Sequence, residues 1–503
     1  MATRKYDIII RNARIYDGTG NPWIHGSLAV RKGRVAAIGN LAASKAVQEF
    51  DAQGMVLCPG FIDVHTHADA SISKNCSMEQ YLRQGVTTII GGNCGRSRYP
   101  TRAHLLYVSS LKKRINYGLL MGHATIREQV IGSANRAPSD TELRAMRKLC
   151  AKSLSAGAYG LSFGLYYTPG CYAEEREMLA LAEEVYKQHG IVAFHLRDES
   201  DYSIGLIQSL KEALAVAEKT KARVHISHLK CLGKAVWGQA EAALSLVEQA
   251  SLKGLDVSFD QYPYTASSTS LRSAIMPSWA FEGGDALFST RLSDQNVLKQ
   301  IRGEIASNIE RRGGATNLLI ATHTSDTTLI GKTLAEIAEL RQMDPVDVAI
   351  ELQLAGGARL VSFNMLEADV KKIMGHHLGL IASDGNLVQK DLTVPHPRSY
   401  GTFSRVLGKY VREEKILTLT DAIRKMTSAP ARRLGLIKRG IIAEGFYADL
   451  VVFNPALIAD GATFASPHQF AVGIELVIVN GKVVLKQGKL TPNHPGWTLK
   501  KLT

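Results

Sequence analysis

Apolar and polar positions alternate in three different ways along this chain. From residue 6 to 58 the pattern is short and strand-like. Ile8 to Ile15, Ser27 to Arg31 and Val35 to Gly39 read as strands, with turns at Asp17-Gly18 and Lys32-Gly33. The stretch from about 440 onward does the same. Ala448 to Phe453 and Glu475 to Val479 read as strands, and Asn480-Gly481 is a hairpin signal before Lys482 to Leu485. Chain termini often lie close together, so the two ends are expected to build one small β-sandwich.

The middle alternates apolar strands with helical periodicity, clearest over Leu179 to Gln188 and Ile204 to Lys219. Strand candidates end at His67, Gly92, His123, Gly164, His195, His228, Tyr262, Thr324 and Asp384. Strand–helix alternation over this length predicts parallel strands in an α/β (β/α)8 TIM-type barrel. The candidates are one more than such a barrel holds. Leu318 to Thr324 follows a polar 280–315 segment that reads as an insertion, so it is set aside. The expected domains are 1–58 and 436–503 for the sandwich and 59–435 for the barrel.

Composition narrows the class. A chain of 503 residues is too long for one ordinary core, and 45% hydrophobic with 21% charged residues is normal for a globular protein. No run approaches the roughly 18 apolar residues of a membrane span, and no apolar signal core precedes Ile8-Ile9-Ile10. Six scattered cysteines suit free thiols in a reducing cytoplasm. The formal charge of +14 is spread along the chain, without a zinc finger, an RNA-recognition signature or a basic tail. A basic surface without a dedicated partner is preferred to nucleic-acid binding, with a minor allowance for steering of anions, and neither nucleic acid nor membrane is an expected partner. A homo-oligomer is left open.

Barrels of this kind carry their chemistry at the C-terminal ends of the strands. The first strand ends in Gly60-Phe61-Ile62-Asp63-Val64-His65-Thr66-His67. Residues i and i+2 of a strand share a side, so His65 and His67 can aim two imidazoles at one point. The second strand ends in Gly92-Asn93-Cys94-Gly95, the fifth in His195, the sixth in His225 and His228, and the eighth in Asp384. Thiolate, imidazole and carboxylate together suit zinc. Each residue alone has a plainer reading: a buried small hydrophobe, a packed histidine, a turn aspartate. Their placement on different strands of one barrel is what carries weight. His225 and His228 compete for one role, and His228 is chosen because it stands at the strand end. His225 is expected to pack behind the barrel wall.

These motifs resemble the amidohydrolase superfamily and, within it, the N-acyl-D-amino-acid deacylase (D-aminoacylase) family. The resemblance spans essentially the whole chain. It extends through Gly160-Leu161-Ser162-Phe163-Gly164-Leu165-Tyr166-Tyr167, His195-Leu196-Arg197-Asp198-Glu199, Ile226-Ser227-His228-Leu229-Lys230 and Tyr262-Pro263-Tyr264. It continues with Ser383-Asp384-Gly385, His396-Pro397-Arg398 and Gly401-Thr402-Phe403-Ser404-Arg405-Val406-Leu407-Gly408. The Asn-Cys-Gly after the second strand and the run from Pro397 to Gly408 are its specific parts.

The resemblance implies one tight zinc site held by Cys94, His195 and His228, and a possible second, weaker position lined by His65, His67 and Asp384. Many relatives bridge two metals with a carboxylated lysine on the fourth strand. Here that strand holds none, which argues against hydantoinase, dihydroorotase and urease-like readings. The implied activity is hydrolysis of N-acyl-D-amino acids, with Asp384 as general base and acid. Arg398, Lys230, Tyr262, Tyr167 and Ser268 are the implied substrate residues, with Arg272 near the region where relatives that take acidic side chains carry an arginine. The loop Asn386-Leu387-Val388-Gln389-Lys390 departs from a His-rich stretch in relatives. The alternatives are a D-dipeptidase or cyclic amidase with the same metal site, and a non-catalytic barrel scaffold, which the intact ligand set disfavours.

Overall fold

The computed structural model describes residues 5–73, 75–388 and 393–501. The two ends of the chain join in one nine-stranded sheet. Lys5–Ile15, Ile24–Arg31, Arg34–Gly39 and Val56–Pro59 come from the N-terminal side, with Lys45–Asp51 pairing beside the first. Leu450–Phe453, Ile474–Val479, Lys482–Lys486 and Lys489–Leu490 come from the other. The seam is Val56–Pro59 against Leu450–Phe453, antiparallel, with Cys58 opposite Val451.

Side chains alternate across this seam. Leu450, Val452, Leu476 and Ile478 pack with Ile8, Ile10, Leu28 and Val30 in one core shared by both ends. Val451, Phe453, Val477 and Val479 point the opposite way and pack with barrel residues such as Phe61 and Phe403. Burial on both faces explains why 450–453 reads as a continuous apolar run. Asn480 and Gly481 both have positive φ, 46° and 75°, as the tight hairpin requires.

Eight strands form the barrel: Phe61–Asp63, Val86–Gly91, Asn116–Leu119 continued by Met121–Gly122, Gly160–Gly164, Ile191–His195, Arg223–Ile226, Val257–Gln261 and Gly379–Ile381. Neighbours are parallel, and a parallel bridge from Thr66 to Gly385 joins the eighth to the first. Val192, Phe194, Val224, Ile226 and Phe259 face outward onto the helices. Ile62, Ile90, Ala193 and Leu380 share a second core, with Ala431 and Leu434. The two periodic helices are Glu175–Lys187 and Leu206–Thr220, whose buried faces join the outer core.

The insertion is wider than the 280–315 segment read from the sequence. A three-stranded sheet, in the order Ser267–Ser270, Ala358–Ser362, Leu318–His323, encloses it. The set-aside candidate therefore belongs to this sheet. Its first strand reads Ser-Ser-Thr-Ser and has no apolar alternation to announce it. Helices 295–311, 334–341 and 345–354 complete the unit around a core of its own. His323 accepts a hydrogen bond from the Asp326 N–H at 2.9 Å. His123 begins the helix His123–Val130 rather than ending the third strand. Among the described residues no helix is long and apolar enough to cross a membrane.

Candidate metal centre and active site

The strand ends deliver six donor residues to one point at the barrel mouth. Cys94 Sγ stands 3.3 Å from His65 Nε2, 3.5 Å from His195 Nδ1 and 3.5 Å from His228 Nε2. Asp384 Oδ1 stands 3.0 Å from His67 Nε2 and 3.5 Å from His65 Nε2. All but His67 are buried.

Three of these residues are held in left-handed backbone: Cys94 at φ 52°, His228 at 34° and Asp384 at 48°. Non-glycine residues there are strained by about 1–3 kcal/mol each. The surroundings enforce the conformation. Asn93 Nδ2 donates to Ile90 O at 3.0 Å, which pins the turn before Cys94. Gly164, at the end of the fourth strand, lies so close that a Cβ there would sit 2.1 Å from the Cys94 carbonyl oxygen. That strand end supplies clearance for Cys94 instead of a ligand.

The left-handed turn at His228 also corrects the reading of His225. Strict alternation would put the two histidines on opposite sides, but the strand ends at Ile226. His225 has the parity opposite to Val224 and Ile226, which face outward. It therefore lies inside the barrel, beneath the donors and not behind the wall. Its Nε2 is 2.8 Å from Asp260 Oδ2 and its Nδ1 2.7 Å from Ser258 Oγ.

The sequence reading missed a layer of carboxylates beneath the donors. Asp260 faces His65 Nδ1 at 3.3 Å and accepts the His228 N–H at 2.8 Å. Glu199 lies 3.0 Å from His228 Nδ1 and accepts from Lys230 Nζ at 2.5 Å. Burial opposes both charges. His65 and His225 outweigh it for Asp260, and Lys230, His195 and His228 for Glu199, so both are held well below the usual carboxylate range. Asp63 accepts from the Ser383 hydroxyl and N–H at 2.5 and 3.0 Å, fixing the residue before Asp384. Burial pushes its pKa up to about 7. The available signal for Asp260 was a charged residue near the end of the strand Val257-Ser258-Phe259-Asp260-Gln261.

The donor set fits zinc. Bond lengths of about 2.3 Å to sulfur and about 2.0–2.1 Å to nitrogen set neighbouring donors of a tetrahedral site about 3.5 Å apart. Cys94, His195 and His228 have that spacing, and so form one metal-competent group. Cys94 with His65 and His67, and Asp384 with His65 and His228, form others. Burial raises the Cys94 thiol, but His65, His195 and His228 outweigh it and favour the thiolate. His195 Nε2 is buried without a hydrogen bond, and Asp384 Oδ1 faces the imidazole nitrogens of His67 and His65. An imidazole ligand whose second nitrogen meets a carboxylate is oriented for a metal, as His228 is by Glu199 and His65 by Asp260.

The expected substrate residues are distributed unevenly around a cavity of about 1020 Å³. Arg398 is paired with Asp384 at 2.8 Å and lies 4.6 Å over the Tyr262 ring. Lys230 is buried and committed to Glu199. Tyr167 packs 4.7 Å from the His195 ring and accepts from Thr269 Oγ1 at 3.4 Å. Burial raises the Tyr262 and Tyr167 phenols, so both stay protonated donors. Ser268 lines the cavity from the inserted sheet. Arg272 lines the same cavity. It pairs with the exposed Asp285 at 2.6 Å and stacks on Phe281. Gln389 and Lys390 of the departing loop lie outside the described residues, while Asn386 lines the cavity.

Comparison with known proteins agrees with this geometry. The amidohydrolase family profile matches residues 48–485. An N-acyl-D-glutamate deacylase of Alcaligenes xylosoxydans xylosoxydans is 35% identical over 520 residues, covering 99% of this chain and 97% of that protein. A D-aminoacylase of the same organism is 34% identical, covering 99% and 98%. The crystal structure of N-acyl-D-glutamate deacylase from Bordetella bronchiseptica, complexed with zinc and a phosphonate mimic of the tetrahedral intermediate, superposes with a TM-score of 0.87. It is 33% identical and covers 99% of this chain and 100% of that one.

Proposed function

This chain belongs to the amidohydrolase family, and from that premise we infer that it hydrolyses the amide bond of N-acyl-D-amino acids to a carboxylate and a free D-amino acid. The observation that carries the reading is the thiolate-centred donor group Cys94–His195–His228 with the Asp384 carboxylate beside it. We assign Cys94, His195 and His228 to a tight zinc ion, with His65, His67 and Asp384 lining a weaker position. When bound, zinc supplies Lewis acidity that polarises a carbonyl and brings a water at the metal to a pKa of about 7.

The chain's own residues do the rest. Asp384 is kept ionised: burial opposes its charge, but Arg398, His228 and His67 outweigh it. Its Oδ1, which faces the imidazole nitrogens of His67 at 3.0 Å and His65 at 3.5 Å, takes the proton of the attacking water and returns it to the departing nitrogen. Arg398 holds the other carboxylate oxygen, fixing the orientation of Oδ1. Tyr262 and Tyr167 donate to the substrate's oxygens as they gain charge. Arg398 is also in reach of the α-carboxylate, with Lys230 adding positive potential behind it. Free thiols at all six cysteines support a cytoplasmic location.

The test is amine release by zinc-loaded protein from matched N-acetyl-D and N-acetyl-L amino acids. Hydrolysis of the D series alone is expected. Metal-loaded protein inert toward both series but active on D-dipeptides or cyclic amides would move the reading to those substrates.

A further inference from the structure

The cavity wall contributed by the inserted sheet has its own chemistry. Ala358–Ser362 is the middle strand, between Ser267–Ser270 and Leu318–His323. Ala358 and Leu360 face the insertion's core. By alternation Arg359 and Val361 face the other way. Val361 packs on Ala266 and Ala321, and Arg359 lines the cavity, opposite Ser270 on one neighbour and Thr322 on the other.

Arg359 differs from the other cavity arginines. Arg96, Arg197, Arg272, Arg311 and Arg398 each pair with a carboxylate. Arg312 spends its donors on the oxygens of Tyr202, Tyr166, Ser362 and Ala274. Arg359 is exposed to the cavity, and among the described residues it has neither a carboxylate in salt-bridge reach nor a hydrogen-bond acceptor. The charged or ionisable groups that it feels are Arg398, Tyr167 and Asp384, all at the reaction centre. Its recessed place in the cavity wall, which removes much of its water, and then the like charge of Arg398 pull its pKa below the usual guanidinium value. A guanidinium has five N–H donors and binds a carboxylate through two of them at once. An arriving carboxylate would satisfy those donors and offset the repulsion from Arg398.

Building on the N-acyl-D-amino-acid hydrolase reading, we propose that Arg359 determines specificity by receiving a second carboxylate on the amino acid's side chain, so that N-acyl derivatives of acidic D-amino acids are the preferred substrates. Arg272 lines the same cavity but already has partners, the exposed Asp285 and the Phe281 ring, whereas Arg359 has none among the described residues.

The experiment compares kcat/KM of the zinc-loaded full chain on N-acetyl-D-glutamate, N-acetyl-D-aspartate, N-acetyl-D-leucine and N-acetyl-D-methionine. Wild-type protein is expected to prefer the acidic pair. Arg359→Leu should lower kcat/KM on that pair about 100-fold, mainly through KM, and change the neutral pair less than about threefold. Arg359→Lys should recover part of the loss. Zinc content and melting temperature equal to wild type establish that the variants fold; Arg359→Gln carries the test if the leucine variant does not. A wild-type preference for leucine or methionine overturns the proposal while leaving the hydrolase reading intact. So does an equal fall on all four substrates, which would put Arg359 on the α-carboxylate. Failure of zinc-loaded wild type on every D substrate overturns the underlying reading itself.

Discussion

The barrel mouth and the inserted wall face one cavity but handle charge in opposite ways. At the mouth every carboxylate has partners. Asp384 has Arg398 and His67, Glu199 has Lys230 and His228, and Asp260 has His65 and His225. Such a site is fixed before substrate arrives, which is what preorganised electrostatic stabilisation requires. On the wall, Arg272 and Arg311 share exposed carboxylates, Arg312 has only neutral oxygens, and Arg359 has no acceptor among the described residues. On the proposal above, the difference separates chemistry, built on the strand ends, from side-chain recognition, carried by a unit with its own core.

The contrast breaks most sharply at the thiolate. Cys94→Ala should reduce tightly held zinc below about a tenth of wild type and abolish turnover, since the ligand charge and the donor spacing go together. Metal analysis after dialysis checks this, and full zinc content would remove Cys94 from the site. Asp384→Asn should leave zinc at the tight position but lower kcat about 10³–10⁴-fold. Activity within tenfold of wild type would send the proton elsewhere.

Weaker effects sharpen the comparison. Asp260→Asn touches no substrate, yet should weaken zinc affinity about 10–100-fold by loosening His65 and His228. Competition against a chelator of known affinity measures it, and unchanged affinity would make Asp260 a packing residue. Arg272→Ala should be the smallest change, less than about threefold in kcat/KM on any substrate, because its partner is exposed. A selective loss on acidic substrates would return the specificity role to Arg272.

Much of this was legible in the chain itself. The period-2 ends, the strand–helix middle and the donors at strand ends all come from local pattern, and local pattern is what His65, Cys94, His195, His228 and Asp384 offered. Asp260 and Glu199 were harder, because their meaning lies in partners on other strands. His225 was misread for a different reason: a single left-handed residue at His228 resets the alternation, and sequence periodicity assumes none. The strand Ser267–Ser270 is polar on both faces, so the true extent of the insertion was hidden, and with it Arg359, which reads as one more surface arginine until its strand is placed.

The seam between Val56–Pro59 and Leu450–Phe453 has a consequence for biosynthesis. When the ribosome has made the first barrel strand, the edge that Leu450–Phe453 will cover is still bare. At about 5–20 residues per second, the intervening 390-odd residues take roughly 20–80 s to emerge. Through that interval Val56-Leu57-Cys58, a short apolar segment, waits without its outer neighbour. The core shared by the two ends of the chain is therefore completed only after nearly the whole chain has been made.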